Sequence, residues 1–200
     1  MRWARALVMA ACGVASHAQA APPSTDWRQV ATLRDRQRLR DWRSAWMEGL
    51  AAARAGDGAA VIAADPALFD PDRMLSGALP PAGEYRCRAF KLGARAVARG
   101  FTAYPWGRCR IEMDGAMLRV SRLDGPQRPT GLIFADTDAR AILLGAMVFS
   151  DETRPLAYGR DRGRDLAGVV ERIGRRRWRV VLPYPRFEST LDVVELVPAS

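Results

Sequence analysis

Histidine occurs once in the 200 residues, at position 17, lysine once, at position 91, and cysteine three times, at 12, 87 and 109. No apolar run reaches the roughly 20 residues that a membrane-spanning helix needs, so no transmembrane segment is expected. The scarcity of histidine matters most once the N terminus is read. The chain opens MRWARALVMAACGVASHAQAAPPS, with Arg2 and Arg5 as a short basic region, Ala6 to Ala15 as an apolar core and Ala18-Gln19-Ala20 as a small-residue cleavage signal. Residues 1–20 therefore read as a signal peptide, and a periplasmic or secreted protein starting at Ala21 is expected. The run Met9-Ala10-Ala11-Cys12 is a competing lipoprotein signal, but Met is a poor first residue there and few apolar residues precede it. Cleavage would remove His17. A Ser-His-Asp triad, a Cys-His pair and a histidine-ligated metal would go with it. No metal site and no cofactor is expected, and carboxylates remain nearly the sole acid–base groups near neutral pH.

Cleavage would also remove Cys12 and leave Cys87 and Cys109. Cys87 lies in GEYRCRAFKLG between Arg86 and Arg88, where a thiol could be a nucleophile, a metal ligand or half of a disulfide. Two cysteines in an oxidising compartment favour the last, so a Cys87–Cys109 bridge is expected. Closing that loop stabilises a fold by roughly 3 kcal/mol on the chain-entropy model.

The net charge is +9, and +7 without Arg2 and Arg5. Apart from Lys91 the basic residues are all arginine, in a chain rich in Ala, Gly and Pro, a bias that a GC-rich genome imposes without any ligand. Nucleic acid is not expected as a partner of an exported chain; anionic envelope surfaces fit the charge better.

Organisation changes near Pro80-Pro81. From Asp26 to Gly56, Leu39, Trp42, Trp46, Leu50 and Ala53 recur at spacings of three and four and line one face of a helix. Thr32 is a candidate N-cap, Gly56 a stop, and Arg36, Arg40 and Arg43 an outward solvated face. A short second helix is expected from Gly58 to Ala64. The segment DPALFDPDR lacks the glycine and ligand spacing of a calcium loop, which makes Asp65, Asp70 and Asp72 turn and cap residues.

Beyond Pro81, short segments separated by turn signals read as antiparallel strands. Arg108 to Met113 alternates, with Cys109, Ile111 and Met113 on one face, and Asp114-Gly115 turns the chain into Met117 to Leu123. Further strands are expected at Gly131–Ala135, Arg140–Phe149 (apolar on both faces), Ala167–Ile173, Arg177–Leu182 with Trp178, Val180 and Leu182 inward, and Leu191–Val197. DLAGVVERIG also fits helical spacing, but its β-branched pair favours a strand. The expected fold is α+β and mainly β. It is an antiparallel meander of about eight strands, forming a small barrel or a strongly curved sheet, behind an N-terminal helical segment. The expected divisions are a signal peptide at 1–20, a helical subdomain at 21–80 and an antiparallel β-domain at 81–200.

The stretches VATLRDRQRLRDW, GEYRCRAFKLG, ERIGRRRWRVVLPYP and ESTLDVVELVP span nearly the whole chain after the signal. Together they resemble the exported bacterial proteins of domain-of-unknown-function family 4893. The resemblance implies export and a single domain, and it carries no activity and no site residue.

Three functions fit the residues. A barrel could hold an amphipathic or anionic small molecule, offering Trp178, Tyr158, Arg177 and Arg179. An interaction or inhibitor module could engage an envelope protein through YPWGR, residues 104–108, with Trp106 as anchor. A histidine-free hydrolase could use Asp136, Asp138, Asp151 and Glu152. A non-catalytic binding role is expected. Trp106 discriminates the first two readings: a core position favours the ligand barrel, an exposed one a partner surface.

Overall fold

The computed structural model describes residues 24–94, 100–186 and 188–199. The expected signal peptide, with Cys12 and His17, lies outside the described residues.

The helix expected between the Thr32 cap and Gly56 is two, α2 (Leu33–Arg40) and α3 (Trp42–Ala55), preceded by a short α1 (Trp27–Val30). Local hydrogen bonding causes the breaks. Ala31 is extended, and the Thr32 hydroxyl accepts from the Asp35 N–H at 3.2 Å, so a new helix begins there. Asp41 ends α2 and starts α3, and Gly56 closes α3 with its N–H on the Ala52 carbonyl. Two short helices follow, α4 (Ala59–Ala64) and α5 (Pro66–Phe69). Pro66 opens the second, where its missing N–H costs nothing, and the Asp65 side chain caps it through the Leu68 N–H.

Nine strands follow among the described residues: β1 (Gly83–Ala94), β2 (Phe101–Ala103), β3 (Gly107–Asp114), β4 (Met117–Arg122), β5 (Gln127–Ala135), β6 (Ala141–Phe149), β7 (Asp165–Gly174), β8 (Arg177–Pro183) and β9 (Ser189–Pro198). Each of β3 to β9 pairs antiparallel with its neighbour in sequence, and β9 returns to β1 from Tyr85↔Pro198 to Ala94↔Ser189. That last ladder closes an eight-stranded barrel, with β2 added beside the far half of β1. Closure is thus decided in favour of the barrel over the curved sheet. DLAGVVERIG is strand β7.

Inward residues alternate as expected on β8, where Trp178, Val180 and Leu182 join Tyr85, Cys87, Cys109 and Ile111 in the interior. Met113 departs from that pattern and is 61 % exposed. The reason is register: β1 begins at Gly83, opposite Ile111, so no strand flanks Met113 on that side.

Outside the barrel, α3, α4 and α5 pack Trp46, Leu50, Ile62 and Phe69 on Phe90, Leu92, Val181 and Leu191. Leu39 of α2 covers Ile142, Leu144 and Val169. Helix α3 sits close because position 49 is glycine: a Cβ there would meet the Leu191 Cβ at 3.0 Å. This covering explains why β6 is buried along both faces.

The two barrel ends differ. Residues 74–82 cross one end, with Ala78 in the interior cluster. The Gly77 and Ala78 N–H groups donate to the Asp138 carbonyl at 2.9 and 3.0 Å, and Leu75 bridges Arg172. Trp178 Nε1 donates to the Gly77 carbonyl at 3.3 Å and Tyr85 Oη to the Pro81 carbonyl at 2.7 Å, which plugs that end.

Candidate functional site

The opposite end is open. A cavity of about 150 Å³ enters the barrel there, walled by Ala89, Pro129, Met147, Leu182 and Val194 and rimmed by Lys91, Tyr104, Arg122, Gln127, Glu188 and Asp192. A second void of about 20 Å³ lies against the same Arg122, Pro129, Leu182 and Val194 and against Leu143 and Leu196, extending the apolar floor inward.

Strand alternation places the charged groups. Lys91 follows Cys87 and Ala89 at even spacing on β1, and Asp192 precedes Val194 and Leu196 on β9, so both side chains join the inward-facing set. They are register partners, with Lys91 Nζ 3.5 Å from Asp192 Oδ2. Both are buried, at 8 % and 5 % exposure. Burial pushes the Asp192 carboxyl up, against the opposing pull of the Lys91 charge and the Ser189 hydroxyl that donates to it. Glu188 adds a second carboxylate 3.8 Å from Lys91, from a backbone at φ 64°, and Tyr184 in the same loop stands at φ 45°. Two non-glycine residues in the left-handed region make the β8–β9 loop a strained rim, a feature that clusters at ligand clamps. Arg122 holds Asp124 through its Nε, 3.0 Å from the carbonyl, at the edge of the same cavity.

Such a mouth can take one small molecule, apolar part inward and polar head at the ammonium and guanidinium. The cavity is below the 300–1,000 Å³ typical of drug-sized ligands. It matches the space that holds a single benzene ring.

The residues singled out from the sequence are dispersed. Cys87 and Cys109 are bridged, with Cα atoms 5.8 Å apart across β1 and β3. Trp178 is inside the barrel at the plugged end, its ring 6.3 Å from Tyr85. Arg177 and Arg179 face outward on β8 but under the helices. Arg179 is fully buried; it donates to Glu171 at 2.7 and 2.8 Å and to the carbonyls of Leu68, Asp70 and Arg73, and it lies 4.9 Å from the Trp46 ring centroid. Arg177 donates to Glu195 at 2.6 Å and to Asp65, which Arg88 also approaches at 3.8 Å. Burial raises the Asp65 carboxyl, but the hydrogen bond and charge of Arg177 outweigh it and hold the group below its ordinary value. These arginines bolt the helical layer to the barrel.

Tyr158 does the same at α2, accepting from the Thr32 N–H at 3.0 Å and donating to Asp35; burial first, then Asp35, pushes its phenol well up. Trp106 stands outside the barrel, 38 % exposed, with Arg86 4.7 Å and Arg88 4.6 Å from its ring centroid.

The four acids considered for hydrolysis sit at opposite ends of β6. Asp136 takes the Trp27 indole N–H at 2.9 Å, Asp138 takes the Gly77 N–H, and Glu152 pairs with Arg164. The nine residues of β6 between the two pairs span about 30 Å of strand. A glycosidase holds its carboxyls about 5 to 9.5 Å apart.

Sequence reasoning missed Lys91 and Asp192. Parity carried the signal: the chain's one lysine falls in phase with Cys87, and Asp192 in phase with two core residues of β9. A family model matches residues 27–196, and that family is described as a domain of unknown function (DUF4893). No curated protein matches the chain.

Proposed function

We propose that this chain, which belongs to the DUF4893 family, is an exported, non-catalytic binding protein that holds one small amphipathic molecule in the mouth of its barrel. One observation carries the reading: the chain's only lysine faces a buried aspartate at the rim of an apolar cavity open at one barrel end. A carboxylate-bearing ligand with a short apolar tail suits it, its head at Lys91 and Arg122 and its tail against Met147, Leu182 and Val194.

Calorimetric titration with straight-chain carboxylates tests this. Affinity should rise by about 0.8 kcal/mol per added CH₂ until the cavity fills, at roughly five or six carbons, and then level off. Lys91→Met should abolish the response to hexanoate, and Val194→Phe should block it by filling the cavity. A flat response across all chain lengths would refute the reading. Export itself is tested by intact mass: a chain beginning at Ala21 supports it, and a lipid on Cys12 counts against it.

Trp106 favours a second reading. An exposed ring between two arginines is a typical interface anchor. If an envelope protein docks there, Trp106→Ala will abolish its capture while leaving hexanoate binding unchanged.

A further inference from the structure

We infer that the cleft beside the start of α2 is a second binding site, one that takes a phosphate group. It is lined by Arg34 from the first turn of α2, Arg162 from the β6–β7 loop and Arg186 from the β8–β9 loop, around a volume of about 380 Å³. Three separate elements thus bring arginines to the lining of one concavity.

Arginines elsewhere in the fold are largely engaged: Arg88, Arg140, Arg164, Arg177 and Arg179 each hold a carboxylate. Arg34, Arg162 and Arg186 have no ion pair or side-chain hydrogen bond among the described residues. Two acids also line the cleft, and both are occupied. Asp35 is held by Arg38 and Tyr158, and Asp165 accepts the Gly159 N–H at 2.9 Å. The three arginines outnumber the two acids, one of which is already paired with Arg38, and an anion in the cleft lowers the repulsion among the remaining positive charges. A guanidinium offers planar paired donors that match phosphate oxygens, and the α2 N terminus adds its positive dipole end. The volume suits a phosphorylated small molecule. Leu33, also lining the cleft, is 78 % exposed, so a phosphate carried on a lipid would meet an apolar side chain there as well.

The site is independent of the barrel mouth, although the β8–β9 loop serves both, with Glu188 at one and Arg186 at the other. The test is calorimetric titration of the purified protein with inorganic pyrophosphate at low salt. Saturable one-to-one binding is expected. Arg162→Ala and Arg186→Ala should each weaken it about fivefold or more, the order expected for losing a charge-assisted hydrogen bond. Added sodium chloride should weaken it too. Arg175→Ala, which removes the same charge from the β7–β8 turn, and Lys91→Met in the mouth should leave it unchanged.

A parallel arm uses vesicles of phosphatidylcholine with and without phosphatidic acid. Binding in both arms, with Leu33→Ser weakening only the vesicles, identifies a lipid-borne phosphate; binding to pyrophosphate alone identifies a soluble one. No binding in either arm overturns the inference. So does an equal loss with Arg175→Ala, which would mean diffuse attraction, or loss with Lys91→Met alone, which would place the anion in the mouth.

Discussion

The two ends of the barrel are built from the same alternation of inward residues, yet one is sealed and the other is not. At the sealed end the polar atoms of Trp178 and Tyr85 are satisfied by main-chain carbonyls of residues 77 and 81, which the crossing segment brings into place. At the open end Lys91 and Asp192 face each other, and no segment of comparable kind crosses them among the described residues. A buried indole needs one acceptor, and a carbonyl supplies it. A buried ion pair needs its desolvation offset, and an accessible cavity leaves that to solvent or to a ligand. Stability should therefore concentrate at the sealed end and binding capacity at the open one.

Replacing a large ring at the sealed end gives the largest expected effect. Trp178→Ala should cost about 3–5 kcal/mol in urea denaturation. Met147→Ala, beside the existing cavity, should fall nearer the ~2 kcal/mol lower limit of large-to-small changes. Equal losses would break the comparison, since the open end would then be packed as tightly as the sealed one.

The disulfide comes next. Cys87–Cys109 ties β1 to β3 at a sequence separation of 22, and the loop it closes includes β2. Its removal by a double Cys→Ala change should cost roughly 3 kcal/mol. Thiol counting on the denatured protein should find neither sulfur free.

Much of this fold was legible locally, and what was not depended on distant chain. Turn residues such as Asp114-Gly115 fixed the hairpin between β3 and β4, and β-branched content placed β7 correctly against its helical spacing. Alternation also put Trp178 inward and Arg179 outward. It could not say that α3 and α5 cover the outward face, so Arg179, an expected ligand contact, is a fully buried tie to Glu171 and three carbonyls. Nor does parity tell which barrel end a residue occupies. That follows from strand stagger and from the path of residues 74–82, both set by pairing across the whole chain. Trp178, offered from the sequence as a ligand contact, thus lies at the sealed end, and Lys91, in phase with Cys87, was passed over.

The mouth ion pair supplies a smaller effect. Lys91→Met leaves Asp192 buried without its cation, a change that costs about 3–5 kcal/mol in a sealed pair. Here Asp192 can take up a proton readily, since burial already raises its carboxyl. The loss should therefore stay below about 2 kcal/mol at neutral pH. A loss matching that of Trp178→Ala would show the mouth to be as dry as the core.

The finest separation of the two ends is by pH, each compared with its own variant so that other groups cancel. Asp192 has a folded-state value above its ordinary 3.8, so the folded chain binds its proton more tightly than the unfolded chain does. Its contribution is thus favourable in acid and is lost as pH rises from about 4 through the higher folded value. Asp192→Asn should abolish that part of the acid-side slope. At the sealed end the titrating group is Tyr85, which burial pushes from 10.0 up to about 12. The folded state again holds the proton more tightly, so stability should fall between pH 10 and about 12, and Tyr85→Phe should flatten that limb alone. Chemical denaturation of the wild type and the two variants at acid, neutral and alkaline pH reads both windows. If Tyr85→Phe altered the acid limb, or Asp192→Asn the alkaline one, the ends would be coupled through the barrel core, and the division between a sealed, stabilising end and an open, binding end would fail.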